Sequence, residues 1–515
     1  MDAKKIIPFL NENKTAVIVA VISIVIHFCV NLFTAYGIFR DELYYLACGN
    51  NLDWGYVDQP FLSIILLKIN SIVFGESLFA IRLLPALCHA ALIFITCLLV
   101  KELGGNKFAV MLAGITILFV PVFEGIFNFY SMNSWDILFW TSILYVFVRI
   151  IKTENQRLWI LLGILIGLGL QNKYSVMFLC IGLFIGILFT PMRKIYLQKW
   201  VWMSAAIAFI IFLPHIIWQI ANHFPTLEFI NNAKLHKNAP INPIDFLKEQ
   251  FMNLNPINAI VWLPGLFFFL FSKSIKQFRI FGFAYIIIFL FLAVQNSKPY
   301  YLTPVYPILF AGGAVLIGNF IANKNLNWLK PVFVISVIFG GIVSMPMAMP
   351  VLAPETFVKY TQSLGITLGG EEMDRNQNKL GQHYADMFGW KEMADSVAKV
   401  YWSLPKEERM KCAIFGQNYG QAGAIDYFGK KYGLPPAICA HNSYWFWGPK
   451  SWDGQIVIVI GGDEEDYKEY FKEYCQAGII DHPYSRPFER HLPIYVVKGL
   501  KKPVSEIWPQ LRFFI

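Results

Sequence analysis

The apolar residues of this chain form long uninterrupted runs over the first two thirds of its length. About eleven runs are long enough, or nearly so, to cross about 30 Å of hydrocarbon as a helix. They cover roughly residues 15–36, 79–100, 107–124, 132–150, 157–172, 174–190, 199–220, 257–272, 278–295, 301–321 and 329–348. The first run is longer than the core of a cleavable signal peptide, so we interpret it as an uncleaved span. The pattern predicts an α-helical polytopic membrane protein.

The pattern changes after MAMPVLAP, at about residue 350. The remaining chain is charged and punctuated by Gly and Pro. Short apolar segments, CAIFG, GQIVIVIGG and LPIYVVKG, have the character of strands and alternate with helical segments such as QAGAIDYFGKKYG. We therefore predict a transmembrane domain over residues 1–349 and an α/β domain over residues 350–515.

Composition and charge agree with this interpretation. Hydrophobic residues make up 56% of the 515 residues and charged residues 15%, against about 25% charged in ordinary soluble domains. The net charge of +9 comes from Lys and Arg scattered between apolar runs, so we expect no nucleic-acid partner.

The cations also predict the orientation in the membrane. If the N-terminus is cytoplasmic, every inner segment is basic, as the positive-inside bias requires. This orientation makes the chain a multi-pass protein of the inner or plasma membrane. It places residues 37–78 and 350–515 on the extracytoplasmic, periplasmic side.

The first outer segment, residues 37–78, concentrates charge beside hydrocarbon. It contains Arg40, Asp41, Glu42 and Asp58 in the stretch FRDELYYLACGNNLDWGYVDQP. Ionised groups at such a position normally face a cavity or a partner. Local structure is the alternative: Arg40 can pair with an acid, an acid can cap the following helix, and Asp58 can be a turn residue.

Three further charged residues lie at the outer ends of apolar runs. Asp136 lies about one turn into its run, where the helix dipole favours an acid. Lys173 in LQNKYSVMF and Lys298 in VQNSKPYYLTP either extend towards the interface or bind an anionic head group. Both explanations remain open at this stage.

Other chemistry receives little support from the sequence. The cysteines form no CxxC pair and the histidines of the loop 221–256 have no ligand spacing, so no metal site is predicted. That loop is interpreted as an amphipathic segment without catalytic residues. Gly416 and Gly420 follow a strand, but no dinucleotide or P-loop motif surrounds them.

The stretch RDELYYLACGNNLDWGYVDQPFLSIILLKINSIVFGESLFAIRLLPAL resembles the first extracytoplasmic loop of glycosyltransferase family 39. That family includes protein O-mannosyltransferases and lipid A aminoarabinose transferases. An acid pair follows the first span, an acid and a proline follow a Trp-containing turn, and Arg-Leu-Pro opens the second span. Asp136, the Lys173–Tyr174 step and the segment KPYYLTP at 298–304 continue the resemblance, in order, over roughly residues 15–330.

The resemblance implies a bacterial member with a GT-C fold. Such an enzyme transfers a sugar, with inversion, from a polyprenyl phosphate to an extracytoplasmic glycan, lipid or protein acceptor. Asp41 matches the general base and Glu42 the neighbouring acid, so both are expected to be catalytic residues. The residues expected near the donor phosphate are Lys173, Lys298 and Arg40, and those expected to line the cavity or bind substrate are Asp58, Gln59, Asp136, Tyr174, Tyr300 and Tyr301.

One departure and one open point accompany the resemblance. The family often has a second proline or a Lys before the proline of the turn, where this chain has Gln59 before Pro60 and Phe61 after it, which puts a cation-assisted role there in question. No cofactor is obligatory in the implied mechanism, because a lipid phosphate with basic partners is a competent leaving group. A divalent metal stays compatible with it.

Two other classes of protein compete with the transferase. A transporter or flippase of a lipid-linked or anionic substrate also places charges in a helical bundle, but it predicts midplane charges and repeat symmetry. A membrane receptor with an outer ligand-binding domain needs far fewer spans. The sequence names neither the sugar nor the acceptor.

Overall fold

The computed structural model describes residues 3–366 and 379–515. Helices dominate the chain before residue 350. They are α1 Ala3–Glu12, α2 Lys14–Phe33, α3 Arg40–Asn50, α4 Leu62–Phe74, α5 Leu78–Ile81, α6 Leu83–Glu102, α7 Lys107–Leu118, α8 Pro121–Asn128, α9 Met132–Thr153, α10 Arg157–Asn172, α11 Val176–Leu188, α12 Lys199–Ala221, α13 Pro225–Asn232, α14 Pro243–Asn253, α15 Ala259–Phe271, α16 Arg279–Val294, α17 Tyr306–Asn323 and α18 Leu329–Ala348.

Within the described residues, seven helical stretches are long and apolar enough to cross a membrane. Three bent helix pairs raise the number to ten if each pair is one span, and a proline begins the second helix of each pair. The 16-residue α10 is a shorter apolar helix. The prediction of a polytopic helical membrane protein is confirmed, whereas the count of eleven spans stays a prediction.

The chain forms two compact units. The transmembrane unit contains the described residues of 1–33, 79–217 and 240–351. The second unit, here called the α3 unit, contains the described residues of 34–78, 218–239 and 352–515. The α3 unit therefore combines the first outer segment with the C-terminal part of the chain, and the sequence-based boundary between 349 and 350 stays a prediction.

The C-terminal part contains a small sheet with helices, as predicted. Its elements are α19 Pro354–Ser363, α20 Gln382–Ala385, α21 Trp390–Ser403, α22 Lys406–Arg409, β1 Cys412–Gly416, α23 Tyr419–Phe428, β2 Ile456–Ile460, α24 Glu464–Tyr470, β3 Phe471–Ile480, β4 Leu492–Leu500 and α25 Val504–Ile507. The strand order is β1-β2-β4-β3, with β1 parallel to β2 and the other pairs antiparallel.

Strand β3 was not predicted from the sequence. It pairs only with β4, and most of its side chains are exposed. A strand at the edge of a sheet is commonly protected by charged residues. Its sequence, FKEYCQAGII, therefore lacks the apolar alternation by which β1, β2 and β4 are recognised.

Helix α3 packs against α23 through two glycines of the C-terminal part. A Cβ atom at Gly420 would lie 2.6 Å from Arg40 Cγ, and one at Gly423 would lie 2.9 Å from Leu43 Cβ. Neither distance is compatible with a larger residue in the present packing. Gly420 thus allows α23 to lie close to α3.

Gly423→Ala should destabilise the α3 unit by about 1–3 kcal/mol, because the added methyl group forces α23 away from α3. Thermal unfolding of the purified protein measures this loss. Gly49→Ala makes the same change on α3, where the new Cβ would meet Lys68 only at 3.8 Å. Equal unfolding temperatures for the two variants would contradict the proposed contact.

Candidate active site

Helix α3 begins where the predicted acid pair lies. Its N-cap residue, Phe39, has an extended backbone. The fully buried Glu42, at the third helical position, accepts a hydrogen bond of 2.8 Å from the Phe39 backbone N–H. This is the reciprocal half of a capping box. The sequence left open an acid that caps this helix, and the geometry of Glu42 favours that role for it.

Asp41 differs from its neighbour because its carboxylate is accessible. The Asp41 side chain is 38% exposed. The Tyr419 hydroxyl donates a hydrogen bond of 2.9 Å to Oδ1 of Asp41, and Arg40 Nε lies 3.8 Å from the same oxygen. The carboxylate is therefore held in one orientation while remaining reachable from outside the protein.

Arg40 lies within a network of protein carboxylates. Its Nε is 3.8 Å from the buried Asp386 carboxylate, and its backbone N–H donates to the Asp386 carbonyl oxygen at 2.9 Å. The Arg40 guanidinium also lies over the Tyr419 ring, 5.2 Å from its centroid. Arg486 Nη1 lies 3.6 Å from Asp386 Oδ1. These contacts fix the start of α3, so they favour a positioning role for Arg40, and its predicted contact with the donor phosphate stays a prediction.

Tyr419→Phe should slow sugar transfer by about tenfold or more, because a hydrogen bond to a charged group contributes about 1.5–3 kcal/mol. The measurement is the transfer rate at saturating donor. Tyr484→Phe is the matched control, since the Tyr484 hydroxyl donates a 2.8 Å hydrogen bond to Glu355, an acid that is not a candidate site residue. If both variants keep the wild-type rate, Tyr419 does not orient Asp41.

Asp58 also contacts α3. The Tyr44 hydroxyl donates to Asp58 Oδ1 at 3.0 Å and lies 2.7 Å from Ser443 Oγ, which accepts the Val57 backbone N–H at 3.1 Å. The turn that carries Asp58 is thus tied to α3 and to the C-terminal segment. Asp58 is more than the free turn residue that the sequence allowed.

Gln59 is fully buried next to Asp58. Neither polar atom of its side chain has a hydrogen-bond partner among the described residues. A buried amide without partners costs about 1–3 kcal/mol. Gln59 therefore offers an unused donor and an unused acceptor, and substrate binding by Gln59 stays a prediction.

Burial raises the pKa of Asp58 from 3.8 to about 6. The Tyr44 hydrogen bond opposes this rise, the Asp41 carboxylate adds to it, and the Lys237 ammonium opposes it. Lys237 is therefore close enough to act on Asp58. Nothing in the sequence indicates this proximity, because Lys237 is 179 residues away along the chain, in a loop interpreted as non-catalytic.

Deprotonation of Asp58 should lower the stability of the protein as the pH rises from about 4 to about 6. The native state binds the Asp58 proton more tightly than the unfolded state, so the unfolded state is favoured as that proton leaves. The unfolding temperature measured across this range should fall less in Asp58→Asn than in the wild type. Parallel curves for the two proteins would contradict the raised pKa.

A second cluster of predicted residues lies in the transmembrane unit. Asp136 is buried near the start of α9, and its carboxylate accepts a 2.5 Å hydrogen bond from Ser175 Oγ. Lys173 Nζ lies 3.6 Å from Asp136 Oδ2 and donates to Asn133 Oδ1 at 2.7 Å. Lys173 is the C-cap residue of α10. The two helix ends therefore hold a buried acid and its cation together.

Aromatic rings complete this cluster. Lys173 Nζ lies 5.0 Å from the centroid of the Tyr301 ring and 5.7 Å from that of Tyr300. Both tyrosines belong to the 3₁₀ turn Pro299–Val305, for which the half-buried Lys298 is the N-cap residue. Cation–π contact of this kind holds an ammonium group without neutralising it. The structure thus brings Asp136, Lys173, Tyr300 and Tyr301 together.

Tyr174 has a different neighbour. Its hydroxyl is hydrogen-bonded to Nε2 of the buried His215 on α12. The Tyr174 ring also packs against Phe212 and His215. These contacts connect α12 to the turn between α10 and α11. A substrate contact of Tyr174 stays a prediction.

Sequence reasoning missed several residues that contact the candidates. They are Tyr419, Asp386, Ser443, Ser175 and Lys237. Ser175 had a local signal, because it lies two residues after Lys173. The others lie far along the chain from their partners. Among the described residues, no group of three or more His, Cys, Asp or Glu side chains is arranged to hold a metal ion.

Comparisons with known proteins agree with this picture. Residues 58–218 match the sequence model of the dolichyl-phosphate-mannose-protein mannosyltransferase family. The lipid A galacturonosyltransferase RgtD of Rhizobium johnstonii is 24% identical over 236 residues, which are 45% of this chain and 50% of that protein. This chain thus spans about half the length of the curated relative that it matches.

The fold is similar to that of ArnT from Cupriavidus metallidurans. The crystal structure of ArnT bound to undecaprenyl phosphate has a TM-score of 0.61 and 13% identity, covering 95% of this chain and 98% of that one. The apo structure of ArnT has a TM-score of 0.60 with 13% identity, covering 93% and 97%. The predicted fold is therefore confirmed, because the chain has the fold of ArnT, and a sequence match to the mannosyltransferase family is found over residues 58–218.

Proposed function

We propose that this protein is a membrane glycosyltransferase that moves a sugar from a polyprenyl-phosphate donor to an acceptor in the cell envelope. The observation that carries the proposal is the exposure and the hydrogen bonding of the Asp41 carboxylate. Its carboxylate is accessible and held by Tyr419, and the sequence resemblance assigns it the role of the base. A general base with this geometry can remove the proton of an attacking hydroxyl group.

The proposed reaction proceeds with inversion. The acceptor oxygen attacks C1 of the sugar, and its proton passes to the Asp41 carboxylate. The bond between C1 and the phosphate oxygen breaks, and its electrons stay on the phosphate, which leaves as polyprenyl phosphate. Lys173 and Lys298 stabilise the charge of that leaving group by electrostatic interaction.

The contacts of Lys173 support this role. The Lys173 ammonium group donates a hydrogen bond to Asn133 and forms an ion pair with Asp136. The rings of Tyr300 and Tyr301 lie near it. A lysine fixed in this way needs little reorganisation when it meets a phosphate, and the tyrosine faces leave its charge available. Asp58 and Gln59 are the residues we assign to substrate contact beside Asp41.

The acceptor we favour is a lipid of the lipid A type. RgtD is by its name a lipid A galacturonosyltransferase, and ArnT was crystallised with undecaprenyl phosphate. Glycan and protein acceptors are the alternatives. We also propose that the N-terminus is cytoplasmic and that the C-terminal part is extracytoplasmic, because this orientation makes every cytoplasmic segment basic.

Reconstitution in proteoliposomes tests the activity. Purified protein is supplied with a panel of polyprenyl-phosphate sugars and with lipid A, and mass spectrometry follows free polyprenyl phosphate. We expect its release from at least one donor, dependent on the acceptor. Movement of an intact donor across the bilayer without cleavage would instead indicate a flippase, and a lack of both would contradict the proposal.

A further inference from the structure

The interior of the transmembrane unit contains buried polar groups that the proposed transfer reaction does not use. Ser23, His27 and Asn31 are spaced four residues apart on α2, so they form one stripe along the helix. His89 on α6 faces this stripe: its Nδ1 lies 2.9 Å from His27 Nε2 and 3.1 Å from Ser23 Oγ. All four side chains are buried.

The hydrogen bonds assign the protons of the two imidazoles. His89 Nε2 faces the Ile117 carbonyl oxygen at 3.4 Å, so this nitrogen carries the hydrogen. His89 Nδ1 is then an acceptor, and His27 Nε2 donates to it. Nδ1 of His27 is left as an acceptor that is buried and has no partner among the described residues.

Helix α8, which contacts His89 through Phe127, carries a buried acid and a buried amide. The Phe127 ring stacks on the His89 ring, with 4.8 Å between centroids and 7° between planes. Glu124 lies three residues before Phe127 and four before Asn128, so it shares a helix face with each of them. Glu124 is 1% exposed and Asn128 is fully buried.

Seven polar atoms of this region have no hydrogen-bond partner among the described residues. They are His27 Nδ1, both side-chain polar atoms of Asn31, both carboxylate oxygens of Glu124, and both side-chain polar atoms of Asn128. Each such group costs about 1–3 kcal/mol when unsatisfied. In hydrocarbon an isolated carboxylate charge costs still more, whereas a protonated carboxyl can donate to a neighbour.

We propose that helices α2, α6 and α8 enclose an internal water site in which Glu124 holds an exchangeable proton. Water molecules supply both donors and acceptors, which the two amides, the carboxyl group and His27 Nδ1 together require. An ionisable group in this position is typical of membrane proteins that bind protons. The site goes beyond the proposed transferase chemistry and does not depend on it.

X-ray radiolysis of the full-length protein tests for the water, because hydroxyl radicals formed from bound water oxidise adjacent side chains. Phe127 and Phe269 are both fully buried in the transmembrane unit, and Phe269 belongs to α15. Phe127 should be oxidised several-fold faster than Phe269. Glu124→Leu should remove this difference, and equal slow rates in the wild type would overturn the water site.

A hydrophobic carbodiimide tests for the proton, because it reacts with protonated carboxyl groups. Glu102 is the internal control, since it is paired with Arg149 at 3.2 Å and with Lys152 at 2.8 Å. Peptide mass spectrometry should find the adduct on Glu124 and not on Glu102, and Glu124→Gln should lose it. Labelling of neither residue, or equal labelling of both, would overturn the protonated Glu124.

Discussion

Asp41→Asn should lower the rate of sugar transfer by about 10²- to 10⁴-fold, the usual contribution of a general base. The amide keeps the shape of the side chain and can still contact the Tyr419 hydroxyl, but it cannot accept the proton of the acceptor. The measurement is the turnover rate of purified protein with saturating donor. The amount of folded protein in the membrane should remain near that of the wild type, because the side chain is partly exposed.

Glu42→Gln is the matched control for this experiment. Its amide oxygen can still accept the Phe39 N–H, so the cap of α3 is retained. We expect a much smaller loss of activity than in Asp41→Asn, because Glu42 is buried and its carboxylate accepts the Phe39 N–H. If Glu42→Gln folds normally and loses as much activity as Asp41→Asn, Glu42 takes part in the reaction.

Lys173→Met should disable both folding and donor binding. The change leaves the buried Asp136 carboxylate without its cation, and breaking a buried pair in this way costs about 3–5 kcal/mol. The unfolding temperature of the purified protein measures the first effect, and polyprenyl-phosphate affinity measures the second. Lys248→Met is the control, because Lys248 pairs with Asp245 at an exposed site.

A double variant separates the two effects. Asp136→Asn combined with Lys173→Met removes both charges, so most of the lost stability should return. Affinity for polyprenyl phosphate should remain low, because the cation at the phosphate is still missing. Recovery of normal affinity in the double variant would show that Lys173 only neutralises Asp136, and the assigned phosphate contact would be wrong.

The architecture could largely be predicted because its signals are local. The long apolar runs predicted the membrane helices, and the short apolar segments predicted β1, β2 and β4. Strand β3 was missed, since an exposed edge strand carries no alternating pattern. The helix α23 was predicted, but its contact with α3 was not, because nothing in YGQAG indicates which helix its glycines face.

The candidate site was predictable only in part. Asp41 and Lys173 stood out as charges beside apolar runs, and the resemblance assigned them roles. Tyr419 did not stand out, because it lies 378 residues from Asp41 and its hydrogen bond to Asp41 exists only in the folded chain. Glu124 was missed within VPVFEGIFN, since one acid near the end of an apolar run looks like an ordinary boundary residue.

Mass spectrometry of envelope lipids and glycans tests the central claim most directly. Cells that lack this protein are compared with cells that carry the wild-type protein or Asp41→Asn at equal membrane levels. The account predicts one sugar modification that is present with the wild type and absent from the other two, and its mass identifies sugar and acceptor together. If the modification is restored by Asp41→Asn, or if no sugar differs between the strains, the proposal of an Asp41-dependent glycosyltransferase is contradicted.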